Sequence, residues 1–127
     1  MSDLVKHLYS VHWGQVNDRV KELVTSKDEA ESIVRELAIN SGWRERVTAA
    51  KIITVYQLKE IVPNLVATFR DGPEYYTCRA FSKMIADTLG KEGIPMLEEM
   101  KLSCPPDDYG NNMVKVINEN IQSIKKF

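Results

Sequence analysis

The sequence predicts an all-α protein built from stacked helix pairs, and three observations carry that prediction. Apolar residues recur at helical spacing in every segment between chain breakers, while no run alternates with the period of two that a strand requires. The phrase Val62-Pro63-Asn64-Leu65 returns 32 residues later as Ile94-Pro95-Met96-Leu97. Sliding the chain against itself by that interval aligns further apolar positions: Ala30 with Val62 and Ile94, Ile33 with Leu65 and Leu97, and Val20 with Ile52, Met84 and Val116. A fixed interval of this size is what repeated helix pairs produce, because each pair buries its apolar side only against a neighbouring pair.

Taken in order, residues 3–24 carry Leu4, Val5, Leu8, Tyr9, Val16, Val20, Leu23 and Val24 at helical spacing, with Ser2 as a candidate N-cap and Gly14 as a kink or break. Ser26 followed three residues on by Glu29 fits a capping box and opens a second helix over 28–39. Asn40-Ser41-Gly42 stops it, and Trp43 opens a third helix to about Tyr56. The fourth spans 59–70 with Pro63 in its first turn, where a missing N–H is tolerated. Asp71-Gly72-Pro73 is a turn, a fifth helix covers 74–89, and Gly90 suits its C-terminal end. Pro95 begins a short sixth helix ending near Leu102. Cys104-Pro105-Pro106 breaks the chain again before a seventh helix over 109–124.

Composition sets the class. The chain has 127 residues, 43% of them hydrophobic and 28% charged, as a folded single domain requires. Seventeen basic and eighteen acidic residues give a formal net charge of −1, which excludes a bulk basic footprint for nucleic acid or membrane. Two cysteines, Cys78 and Cys104, lack metal-type spacing; buried or incidental reduced thiols are the leading expectation and a disulfide the lesser one. Neither a signal-peptide pattern nor an apolar run of membrane-spanning length occurs, so the expected setting is soluble and cytoplasmic.

The apolar-Pro-x-Leu helix start, the Asp-Gly turn and an Arg-Ala near the start of the next helix, carried by Val62, Pro63, Leu65, Asp71, Arg79, Ala80 and Gly90, resemble the short HEAT-like repeat family. The same features recur as Arg46, Ala49 and Ala50 one repeat earlier and as Ile94, Pro95 and Leu97 one repeat later. Glu31 and Asn111-Asn112 depart from the pattern. The resemblance implies a right-handed α-solenoid of about three HEAT-like helix pairs, at 26–57, 58–89 and 90–127, with an N-terminal capping helix over 1–25. It further implies that the second helix of each pair lines a concave face where partners bind.

On that face three columns point outward by helical geometry. They read His12, Arg44, Tyr76, Asp108; then Gln15, Val47, Arg79, Asn111; then Arg19, Lys51, Lys83, Lys115. The last is a basic ladder, and Arg19, Arg44, Lys51, Tyr76, Arg79, Lys83 and Lys115 form the candidate partner-binding set. Tyrosine and arginine are residue types enriched at interface hot spots. The competing reading is that exposed helix positions keep lysine for solvation, as the regular Lys27, Lys59 and Lys91 suggest. Trp43, aligned with Tyr75, fits packing between pairs or a ligand contact, and Trp13 fits an exposed anchor or a cap.

Catalytic chemistry finds no set of residues. His7 and His12 have no cysteine or carboxylate cluster to complete a metal site, and Cys78 has no base near it in sequence. Gly90-Lys91-Glu92-Gly93 lacks the spacing of a phosphate loop. The expected function is therefore a small protein–protein interaction module (adaptor, scaffold or inhibitor) without cofactor or metal, whose concave face takes an acidic partner surface or peptide. The alternative is nucleic-acid binding through the same ladder. Alkylpurine DNA glycosylases also use HEAT-like repeats, and the alternative extends to glycosylase-like activity. A third reading is a structural unit that oligomerises through an exposed end of the array.

Overall fold

Helices form where the apolar spacing places them, and the breakers end them. The computed structural model describes residues 3–39 and 42–126. The helices are α1 (Asp3–Leu8), α2 (Val16–Leu23), α3 (Lys27–Ala38), α4 (Trp43–Tyr56), α5 (Val62–Val66), α6 (Tyr75–Leu89), α7 (Ile94–Ser103) and α8 (Asp108–Lys125). No strand occurs among the described residues. The expected cap at Ser2 and the Asn40-Ser41 part of the stop lie outside the described residues.

Local chemistry explains the boundaries. Ser26 accepts from the Glu29 amide at 3.1 Å and so caps α3, while the Glu29 carboxylate turns to the Thr25 hydroxyl at 3.1 Å. Gly90, with φ of 57°, closes α6 in a backbone conformation that a side chain would disfavour. The expected continuous helix over 59–70 contracts to α5, flanked by 3-10 turns at Lys59–Ile61 and Ala67–Asp71. Pro63 has no N–H to give the Lys59 carbonyl, so the turn ahead of it stays tight. Gly14 likewise divides the N-terminal helix, with a 3-10 turn over Trp13–Gln15 between α1 and α2.

Helix α4 is the centre of the packing. It contacts α3, α6, α2 and α1, while α6 also packs on α8, and α8 on α7. Eight consecutive residues of α4, from Arg46 to Ile53, are buried, so this helix has neighbours nearly all round. The core runs from Leu8 and Val20 through Ile52, Ile53 and Phe69 to Phe81, Met84, Ile85, Leu97, Met113 and Ile117. Its largest rings, Phe69 and Phe81, sit 6.4 Å apart between centroids.

The structure overturns the expectation that Val47 and Lys51 point outward. Val47 and Lys51 are buried and Thr54 is half-buried. Because α1 and the loop after it fold back onto α4, the surface a stacked helix would have exposed is covered.

Candidate cleft between the N-terminal segment and helices α4 and α6

Lys51 draws the N-terminal segment onto α4. Its Nζ donates to the carbonyls of Leu8 at 2.9 Å, Tyr9 at 2.8 Å and Val11 at 2.6 Å. The Leu8 carbonyl at the end of α1 also accepts from the Val11 amide at 3.2 Å, and the ammonium adds a donor there while serving the Tyr9 and Val11 carbonyls of the loop that follows. An ammonium has three N–H donors, and all three are used. Burial pulls its pKa down to about 8, which leaves the charged form in the majority at neutral pH.

The folded-back segment leaves a cleft of about 440 Å³ between itself and helices α4 and α6. One wall is Tyr9, Ser10, Val11, His12 and Trp13; the other is Trp43, Val47, Tyr76, Arg79 and Ala80, with Lys51 between them. Trp43 and Tyr76 stack with centroids 5.1 Å apart and planes 26° from parallel. Tyr9 meets the Trp43 ring edge-on at 5.7 Å, and the two contacts together hold the indole. The Arg44 guanidinium lies 4.6 Å from the Trp43 centroid and 5.2 Å from that of Tyr9, and Arg79 lies 5.9 Å from Tyr75. No carboxylate belongs to the described residues that line the cleft.

Backbone geometry fixes each ring. Glu74 caps α6, its carboxylate accepting from the Tyr76 and Thr77 amides at 2.7 and 2.8 Å. The Tyr75 amide donates to the Tyr109 hydroxyl of α8 at 2.8 Å. Opposite, His12 Nδ1 accepts from the Gly14 amide at 3.1 Å and turns the chain so that Trp13 borders the cleft, 5.8 Å from Lys51 Nζ.

The seven candidate residues therefore separate. Arg44, Tyr76 and Arg79 are exposed around the cleft, and Lys51 lies buried within it. Arg19 is paired with Glu22 at 2.6 Å on α2. Lys83 is paired with Asp87 at 3.2 Å and borders a different hollow, beyond Trp13. Lys115 is exposed on α8, beside a shallow surface depression that also includes Asn111 and Glu119. The basic ladder is thus not one row of free cations. Tyr9 was absent from the candidate set because it sat on an apparently apolar helix face, and Val11 belonged to no periodic column. The Trp13-Gly14 break was the available signal that the segment turns back.

Elsewhere Cys78 is fully buried in α6, its thiol pushed up to about 12 by that burial and its Sγ 3.6 Å from the Met113 carbonyl. Among the described residues no group of three or more His, Cys, Asp or Glu side chains converges to hold a metal, and no helix is long and apolar enough to cross a membrane. Comparison of the chain with family models, curated proteins and solved structures gives no significant match.

Proposed function

We propose that the protein is a small interaction module that takes an acidic segment of a partner protein in the cleft between its N-terminal segment, α4 and α6. The carrying observation is the lining, in which Trp43 and Tyr76 stack and Arg79 is exposed, with no carboxylate among the described lining residues and the exposed Arg44 set over the Trp43 and Tyr9 rings next to it. Aromatic rings offer contact area at low entropy loss, and arginine adds planar hydrogen bonding to carboxylates. A protein segment is favoured over a nucleic-acid backbone because Lys51 is buried with its donors used and Lys83 borders a different hollow, which interrupts the row of cations that successive phosphates would need.

The same reading treats α3–α4, α5–α6 and α7–α8 as HEAT-like pairs of a right-handed solenoid with α1 and α2 as its cap. Its support is the succession of contacts from α3 to α4, α4 to α6, α6 to α8 and α7 to α8. In that arrangement the cap has closed part of the inner face and made a cleft of it.

Trp13 and Trp43 are the only tryptophans and both border the cleft, so intrinsic fluorescence reports its occupancy. An acidic copolymer of glutamate and tyrosine, titrated at low salt, is expected to shift that emission saturably. The Arg44→Glu/Arg79→Glu double variant is expected to abolish the shift with the helical circular dichroism unchanged. A copolymer that leaves the emission unmoved, or moves it equally in the double variant, removes the reading.

A further inference from the structure

We propose that the segment received by this cleft presents an aromatic side chain flanked by carboxylates, and not a run of carboxylates alone; the proposal rests on the interaction-module reading. Inside the cleft the chemistry is not that of an anion hole. Lys51 is the cation placed between the walls, and its three N–H groups are consumed by the Leu8, Tyr9 and Val11 carbonyls. Around it lie apolar atoms of Val47 and Ala80, both buried, and the rings of Trp13 and Trp43. A carboxylate pushed into that space would lose its water and find no free ammonium donor, which is strongly unfavourable.

A ring has the opposite balance. It buries apolar area against Trp13 and Trp43 and can take an edge-to-face or offset geometry with either. The volume of about 440 Å³ lies within the range typical of clefts that enclose a compact ligand, so it has room for an aryl side chain with its adjoining backbone.

Among the described residues here, the free cations are the exposed Arg79, at one wall, and Arg44, next to the cleft. Arg44 and Arg79 are exposed, and each guanidinium lies near a ring, Arg44 over Trp43 and Arg79 over Tyr75. A guanidinium against a ring still offers its N–H groups in its own plane, a geometry that suits a carboxylate approaching from the side. The occupant that satisfies both zones is therefore an aromatic anchor with acidic neighbours on either side.

Two short peptides decide it, one with a single phenylalanine between glutamates and one with glycine in its place. Each is titrated into the intact protein with tryptophan emission as readout and an oligothymidylate as a third ligand. The expected result is saturable binding of the phenylalanine peptide, at least about tenfold tighter than the glycine peptide. Arg79→Glu is expected to weaken the phenylalanine peptide about tenfold, and Tyr76→Ala to narrow the gap between the two peptides. Both residues are exposed, so both variants are expected to keep the wild-type circular dichroism. Equal affinities for the two peptides overturn the aromatic anchor while leaving an acidic occupant in place. Failure of both peptides to bind overturns the anchor and the interaction-module reading together. Tighter binding of oligothymidylate than of either peptide, or concentration-dependent self-association that moves the emission with no peptide present, also overturns the proposal.

Discussion

Lys51 Nζ reaches the carbonyl of Leu8 at 2.9 Å, linking α4 to the end of a helix 43 residues earlier in the chain. With Tyr9 and Val11 also served, one ammonium fixes the backbone that forms a wall of the cleft. Lys51→Met keeps most of the side-chain volume and removes every donor. It is expected to lower stability by about 2 kcal/mol, since the Tyr9 and Val11 carbonyls would lose their donor, and the Leu8 carbonyl would keep only the Val11 amide, while the desolvation of a charge is recovered. Urea unfolding gives the number, and amide exchange over residues 3–11 should accelerate by more than that in α6 or α8. Uniform exchange across the chain would show that the ammonium does not hold this segment.

The same residue makes stability depend on pH in an unusual direction. Its pKa falls from the ordinary 10.5 to about 8 on folding, because burial disfavours the charged form. Between those values the unfolded chain holds the proton and the folded chain has released it. The Lys51 contribution to stability therefore rises with pH across the window from about 8 to 10.5 and is lost as pH falls back through 8. Cys78 works oppositely. Its thiol is raised from 9.0 to about 12 by burial, so the folded state retains a proton that the unfolded state gives up, and stability falls across that range. Subtracting the urea stability of Lys51→Met from that of wild type at each pH isolates the lysine. The difference is expected to grow by about 2 kcal/mol from pH 7 to 10, less than the full shift corresponds to, because the unfolded lysine is still mostly protonated at pH 10. A flat difference rules out a lysine that changes charge on folding.

Much of the helix order was legible because periodicity and punctuation are local. Ser26, Pro63, Gly90 and Pro95 act within a turn of where they stand, and α4 begins at Trp43 and ends at Tyr56 as the apolar spacing indicates. The cleft was half legible. Tyr76 and Arg79 follow from their outward phase on α6, and Arg44 from its place beside them. Lys51 was misread for a physical reason: lysine in a helix is normally solvated, and nothing local in the sequence says that carbonyls from residues 8–11 will arrive above it. A 3-10 turn at Trp13–Gln15 makes that arrival possible, and a two-helix break carries no repeat signal.

Gly110 tests how closely the last helix approaches the loop before it. A Cβ built on Gly110 would stand 1.6 Å from the Pro105 carbonyl oxygen and 2.5 Å from its carbon. Both are backbone atoms of a segment stiffened by Pro105 and Pro106, so relief requires moving the start of α8 as a unit. Gly110→Ala is expected to destabilise by about 3 kcal/mol despite alanine's better helix propensity, which alone would favour the change by about 1 kcal/mol. A thermal unfolding curve unchanged or shifted upward would show that the loop yields freely.

Glu74 ties stability to the cleft. Its Oε1 accepts from the Tyr76 amide at 2.7 Å and its Oε2 from the Thr77 amide and hydroxyl, both at 2.8 Å. The carboxylate caps α6 and faces the positive end of the helix, two effects that favour the same side chain. Tyr76 is the first residue it anchors, and the Tyr76 ring stacks on Trp43. Glu74→Ala is therefore expected to lower stability by about 1–2 kcal/mol and to loosen that stack, with a red shift in the Trp43 emission measured in a Trp13→Phe background. Glu74→Gln retains an acceptor for one amide and is expected to recover about half of the lost stability and most of the emission. Equal losses in both variants would mean that the negative charge, and not the hydrogen bonds, holds the first turn of α6 against α4.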